Sequence, residues 1–368
     1  MPYGLLCLRG AQLRNIWWVR YMPWTKILIE KKAPDFDEDA GKDLRKLTVP
    51  EAIQETLSQA LAVDKRVFVM GQGVDDPSGM FGMTLGLQER YGRQRVFDTP
   101  LSENALTGVA IGAALTGMRP VYFHNRPDFL LLAMDQIVNH AAKYSYMFGG
   151  KVRIPMVIAA VIGRGWGSAA QHSQSLHGLF MHVPGLRLVM PSTAYDAKGL
   201  LAAAIADGNP VIFIEHRWLF KHKSHVPKEL YTIPFGKGLV RRQGRDVTIV
   251  GISCMVIEAL RAAEELARAG CSAEVIDPRT LRPLDEEVIL KSVRKTGRLL
   301  IADTDWRTCG AASEIASIAA QKGLKYLKAP VKIVAWPDLP VPASYVLEEA
   351  FYPGKDDIVK TVKELLKR

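Results

Sequence analysis

Arg95-Val96-Phe97-Asp98-Thr99-Pro100-Leu101-Ser102-Glu103-Asn104 reads as a short strand that stops at Pro100, followed by a Ser102 cap and a helix of small residues opening near Glu103. The helix expected over 105–118 carries Gly108, Gly112 and Gly117 among alanines. Glycine inside a helix costs about 1 kcal/mol, so some element is expected to approach this backbone closely and to bury it. Acids favour the positive end of a helix dipole, which gives Glu103 a purely structural reading. The capping-box spacing, however, would put the second acid where Ala105 stands, so Glu103 is not that partner.

Working outward, apolar positions at helical spacing over 48–63 lead into a buried strand at 66–70 and a glycine-rich loop at 71–82. Helices are expected at 83–91 and 129–148, and strands at 121–123, 156–162 and 211–214. Strands that alternate with helices imply an α/β fold with a mostly parallel sheet covered on both faces. Pro234, Gly236, Gly238 and Gly244 then mark a composition shift suited to a domain junction. A smaller α/β unit follows, with strands at 247–251, 273–277, 299–302 and 331–334 around an alanine-rich helix at 257–269. The expected organisation is an extension and charged linker over 1–45, a first domain over 46–225 and a second over 226–368.

The 368 residues suffice for two domains, each with its own core. No run of eighteen apolar residues occurs, so no membrane span is expected. Cys7, Cys254, Cys271 and Cys309 form no C-x-x-C pair or ligand spacing, which points to a reducing compartment: the cytoplasm, or the mitochondrial matrix in a eukaryote. The net charge of +10 comes from scattered residues without an aromatic–basic platform, which argues against nucleic-acid binding and suits an acidic protein partner. Residues 1–26 carry Arg9, Arg14, Arg20 and Lys26 with no acid, among Trp17, Trp18 and Trp24. Either a targeting or membrane-surface peptide or an upstream extension fits, and the segment is expected to be dispensable.

Thr99-Pro100-Leu101-Ser102-Glu103 with Gly108-x-x-x-Gly112 resembles the thiamine-diphosphate-binding beta subunit of 2-oxo acid dehydrogenases, the E1 beta family. Further phrases recur in the family's order. They are Asp135-Gln136-x-Val138-Asn139, Ala141-Ala142-Lys143, Gln171-His172-Ser173-Gln174-Ser175, Pro184-Gly185-Leu186 with Pro191-Ser192, and Asp277-x-Arg279-Thr280-Leu281-Arg282-Pro283-Leu284-Asp285. The resemblance runs from about residue 46 to the carboxy terminus. It implies a pyrimidine-binding domain followed by a transketolase-type C-terminal domain.

By that resemblance, Glu103 matches the glutamate that hydrogen-bonds the cofactor's aminopyrimidine and favours its imino tautomer. Phe129 matches the aromatic packed on the pyrimidine ring, and Leu101 and Gln72 belong to the same cofactor wall. His172 matches a histidine that faces substrate and cofactor. Without the motif, Phe129 would pass for a core phenylalanine and His172 for an ordinary hydrogen-bonded side chain. Asp207 and Asn209, in Asp207-Gly208-Asn209-Pro210, match positions that help to hold a monovalent cation, usually K⁺, although turn chemistry alone explains this composition. The Gly-Asp-Gly phrase that holds Mg²⁺ and the diphosphate in the family's other chain is absent, so a complete site implies an alpha subunit in an alpha2-beta2 heterotetramer. A lipoyl-bearing transacylase would receive the acyl group of the 2-oxo acid.

Two departures stand beside that pocket. Gln72-Gly73 replaces a common glycine–acid pair, and His124-Asn125-Arg126-Pro127-Asp128 replaces an apolar run. His124 and Arg126 are expected to bias the pocket toward an anionic or polar substrate; the structural alternative pairs Arg126 with Asp128 or with the partner. Two rival functions share the fold: half of a split transketolase or other carboligase, and a noncatalytic binding subunit.

Overall fold

A computed structural model describes residues 44–163 and 167–367. The extension over 1–26, Cys7 and all but the last two residues of the charged linker lie outside the described residues.

The strands are β1 (Lys46–Thr48), β2 (Val67–Gly71), β3 (Val96–Asp98), β4 (Arg119–His124), β5 (Val157–Ile162), β6 (Arg187–Val189), β7 (Val211–His216) and β8 (Lys223–His225). They continue with β9 (Leu239–Arg242), β10 (Val247–Gly251), β11 (Ala273–Asp277), β12 (Thr280–Arg282), β13 (Leu299–Trp306) and β14 (Lys332–Trp336). One sheet has the order β12-β6-β7-β5-β4-β2-β3 and is parallel except for β12. A second has the order β14-β13-β10-β11-β9, antiparallel only at β9. The short pair β1–β8 stands apart. Every residue of β2, β5 and β7 is buried, as expected of strands covered on both faces.

The helix Val49–Val63 starts at a complete capping box: the Thr48 hydroxyl accepts from the Glu51 amide, and the Glu51 carboxylate accepts from the Thr48 amide at 2.7 Å. It packs on the helix Ala194–Ala206 across one face of the large sheet. The helix Glu103–Leu115 covers the other face, contacting β4 and the segment after it. Ser102 takes the cap position, although its side chain makes no capping bond.

Three local expectations are corrected. The helix expected over 129–148 is a relay of short pieces: an α-turn Pro127–Leu130, a 3₁₀ turn Leu131–Ala133, a π-helix Asp135–Ala141 and an α-turn Tyr144–Met147. The π widening is carried by the Ala142 amide, which reaches Ile137 O at 3.0 Å rather than the carbonyl four residues back. The helix expected over 83–91 begins only at Leu87, because Gly82 and Gly86 take φ of 90° and 70° and hold the preceding residues in turns. The helix Glu103–Leu115 is buried on one face only. A Cβ at Gly108 would lie 3.2 Å from Gln136 Oε1, so the close approach comes from the π-helix, while nothing crowds Gly112 and Val109 is exposed.

The two sheets are joined by β12 and by a buried charge network. Arg241 on β9 donates to Asp196, in the helix Ala194–Ala206, and to Asp277 Oδ2 at 2.8 Å. Arg279 pairs with Asp196 Oδ1 at 2.9 Å, and Ser192 Oγ donates to Asp277 at 2.5 Å. Both carboxylates are fully buried, so each needs its cation. Arg241→Leu is expected to destabilise the folded chain by about 3–5 kcal/mol, read from the midpoint of urea unfolding, because it leaves buried carboxylates short of a partner.

Candidate active site

Parallel strands deliver their carboxyl ends to a single edge of the sheet, where open α/β sheets bind ligands. Gln72 follows β2, Glu103 follows the loop after β3, and Arg126 to Phe129 follow β4. Gly71, with φ of 146°, ends β2 so close to β4 that a Cβ there would sit 2.3 Å from Phe123 O. Only glycine fits that approach. It sets Gln72 at the strand end, from where Nε2 donates to Glu103 Oε1 at 3.0 Å.

Glu103 is 8% exposed, and no protein hydrogen bond among the described residues reaches its second oxygen. The carboxylate is thus fixed at one oxygen and open at the other. Beneath it, Tyr122 is pushed up to about 12, first by burial and next by the Glu103 charge. Asp98 closes the loop below by accepting the Gly73 amide at 2.6 Å.

Beyond the end of β4, the His172 ring meets Phe129 edge-on at 5.2 Å, with His172 itself exposed. Asp128 Oδ1 accepts from Gln174 Nε2 at 2.8 Å, which ties the turn carrying His172 to the segment carrying Phe129. Burial raises the Asp128 carboxyl above its usual range, opposed by the Gln174 bond. Arg126 reaches Gly163 O at 3.4 Å and Ser168 Oγ at 3.3 Å. Asp128 is turned to Gln174, so no close Arg126–Asp128 ion pair forms among the described residues, although each charge favours the other. Burial lowers the Arg126 pKa, and a second cation, Arg217, feels its repulsion. Leu101, just before the Ser102 cap of the helix that Glu103 begins, stands 80% exposed.

His124 departs from its expected role. It is 1% exposed, its ring lies 4.1 Å from that of Tyr122, and neither ring nitrogen has a hydrogen-bond partner. Burial lowers its pKa to about 3, so it is neutral and offers no charge to an anion. Of the two departures after β4, only Arg126 brings a cation to the wall.

The Asp207–Asn209 loop is an Asx turn. Asp207 Oδ1 accepts from both the amide and the side chain of Asn209 at 2.7 Å, and Oδ2 pairs with Arg187 at 3.0 Å. The carbonyls of Ile205 and Asp207 accept from Arg119 at 2.6 and 3.0 Å. Protein donors already engage these oxygens, which is the turn chemistry that the composition alone explains. No group of three or more acidic, His or Cys side chains suited to a metal exists among the described residues.

Sequence reasoning did not single out Tyr122, the Asp128–Gln174 clamp, or the pairing of His177 with Asp303 and Asp305. Strand alternation puts Tyr122 on the same face as His124 and was the available signal. The other two join segments far apart in the chain and leave no local pattern.

Residues 45–222 match the pyrimidine-binding domain of transketolase, and residues 236–358 match the transketolase C-terminal domain. The chain is 44% identical over 334 residues to the beta subunit of acetoin:2,6-dichlorophenolindophenol oxidoreductase of Bacillus subtilis, covering 88% of this chain and 98% of that one. It is 41% identical over 319 residues to the pyruvate dehydrogenase E1 component subunit beta of Rickettsia conorii, covering 87% and 98%. Among solved structures, a split-gene transketolase in an inactive beta4 tetramer superposes with a TM-score of 0.70 at 23% identity, covering 87% of this chain and 98% of that one, a likeness of fold.

The neutrality of His124 can be read by NMR: its imidazole signals are expected not to titrate between pH 5 and 8. Its folded pKa is depressed, so its contribution to stability is complete above the unfolded value of about 6.5 and falls as pH drops from there toward about 3.

Proposed function

The chain belongs to the beta-subunit family of 2-oxo acid dehydrogenase E1 components, and from that premise we propose that it supplies the pyrimidine-side half of a thiamine-diphosphate site that decarboxylates a 2-oxo acid and passes the acyl group to a lipoyl carrier. The observation that carries this reading is the Glu103 carboxylate, buried at the sheet edge with Oε1 fixed by Gln72 and the other oxygen open. The rival functions are not favoured: the relatives above 40% identity that span most of the chain are E1 beta subunits, and the split transketolase shares the fold at 23%.

The residues present suit the cofactor's pyrimidine. An acceptor carboxylate stands ready for a ring N–H, and a partly buried aromatic face stands beside a histidine. When bound, thiamine diphosphate supplies the nucleophilic carbon and the electron sink that decarboxylation requires. Glu103 accepts the pyrimidine N–H at its open oxygen, and Gln72 keeps the carboxylate from turning away. Phe129 and Leu101 offer apolar surface to the ring. His172, exposed at the mouth, holds or delivers a proton to the substrate oxygen. Arg126 orients an anionic group of the substrate through its guanidinium.

Among the described residues nothing resembles a Mg²⁺–diphosphate cradle, so those ligands are assigned to an alpha subunit in an alpha2-beta2 assembly, with a lipoyl-bearing transacylase downstream. No helix among the described residues is long and apolar enough to cross a membrane. Cys254, Cys271 and Cys309 are free thiols, which supports a reducing compartment, cytoplasmic or mitochondrial.

Glu103→Gln preserves size and helix position while removing the charge. Assembled with its alpha subunit, the variant is expected to fold and to exchange the thiazolium C2 proton at least about 100-fold more slowly than wild type, followed by NMR. Equal exchange rates would refute the role of Glu103, and failure to assemble would return it to a helix-terminus acid. Arg126→Ala is expected to lose discrimination between 2-oxo acids with and without a second anionic group by about 10-fold in kcat/KM. An unchanged substrate ranking would leave Arg126 a purely structural role.

A further inference from the structure

His177 opens the short helix His177–His182, five residues after His172, and is wholly buried. Its Nε2 lies 2.9 Å from Asp303 Oδ1 and its Nδ1 3.5 Å from Asp305 Oδ2. Both carboxylates sit on β13, in the second sheet. Each is also held from its own side: Asp303 Oδ2 accepts the Ala312 amide at 3.0 Å, and Asp305 Oδ1 accepts the Trp306 amide at 2.8 Å. The backbones meet here too, since a Cβ on Gly178 would lie 3.2 Å from Cys309 O. An imidazole between two buried acids from another layer of the protein is more than a filler of space. Removing it would leave two like charges facing each other out of water.

The turn between His172 and His177 is therefore gripped at two points. Gln174 holds it to Asp128, and His177 holds it to β13. Leu176, just before His177, has φ of 57°, so the chain doubles back there into a conformation that needs an anchor. The His172 ring, which meets Phe129, lies immediately before this gripped turn.

We propose that His177 is a positioning residue: clasped by Asp303 and Asp305, it lets the second domain set the turn that presents His172 to Phe129 and the substrate. The proposal rests on the reading of His172 given above. Charge on the imidazole supports the clasp. Burial opposes that charge, but the two carboxylates outweigh it and push the His177 pKa up to about 9. The other titratable groups facing this cluster are Cys254, whose thiol burial pushes up and keeps neutral, and His216, whose Nε2 meets Thr304 Oγ1 at 3.3 Å. A folded pKa above the unfolded value means that the clasp is complete below pH 6.5 and is lost as pH rises through about 9.

The test uses the enzyme assembled with its alpha subunit. His177→Gln is expected to lower kcat roughly 10- to 100-fold with little change in KM, and to lack the fall in kcat that the clasp predicts for wild type above about pH 9. Hydrogen exchange at residues 173–178 near neutral pH should be at least about tenfold faster in the variant. If His177→Gln does not fold, His177→Gln/Asp303→Asn removes one of the two facing charges and should show the same kcat loss and exchange. A variant that melts earlier yet keeps kcat, the alkaline limb and the exchange rates of wild type would reduce His177 to domain glue and overturn the proposal. Exchange that responds to the variant in an enzyme without 2-oxo acid turnover would remove the functional reading and uphold the clasp.

Discussion

Charge taken out of water must find a partner, and this constraint shapes the protein at each place where its layers meet. Arg241 and Arg279 neutralise Asp196 and Asp277 between the two sheets. Asp303 and Asp305 take His177 across the same divide. At the sheet edge the pattern is left incomplete: Glu103 has a neutral amide at one oxygen and, among the described residues, no protein donor at the other. A buried carboxylate satisfied everywhere would be inert. One satisfied by half is a place where a ligand donor gains more than it would in water.

Backbone geometry makes that half-satisfied acid possible. Gly71 lets β2 and β4 approach until the Gln72 amide is in reach of Glu103, and Gly108 lets the π-helix Asp135–Ala141 lie against the helix that Glu103 begins. The Gln72 bond and the Gln136 approach both bear on the helix that Glu103 begins. A methyl group at Gly71 would press on the Phe123 carbonyl and push apart the strands whose ends carry the site.

The alternation of strand and helix, the domain order and the acid at the start of its helix were all legible in the sequence, because each follows from local periodicity and turn chemistry. The helix expected over 129–148 was not, since apolar spacing cannot distinguish an α-helix from a relay of α, 3₁₀ and π turns of similar pitch. His124 was misread for a related reason: its neighbours Arg126 and Asp128 are polar, but strand alternation sends His124 inward against Tyr122, where it loses its charge. The clasp at His177 was out of reach, because its partners lie more than a hundred residues away.

The open oxygen of Glu103 also bears on what must cover it. Val109 and Leu115 are exposed on the helix that Glu103 begins, Leu101 just before it, and Leu132 on the 3₁₀ turn packed beside it. Exposed apolar side chains on neighbouring elements are what a partner surface buries. Excluding water from the open oxygen of Glu103 would strengthen its hydrogen bond to a ligand, because a low local dielectric strengthens such a bond. The fold prepares the acid, and a second chain closing this edge would act on it by keeping water away.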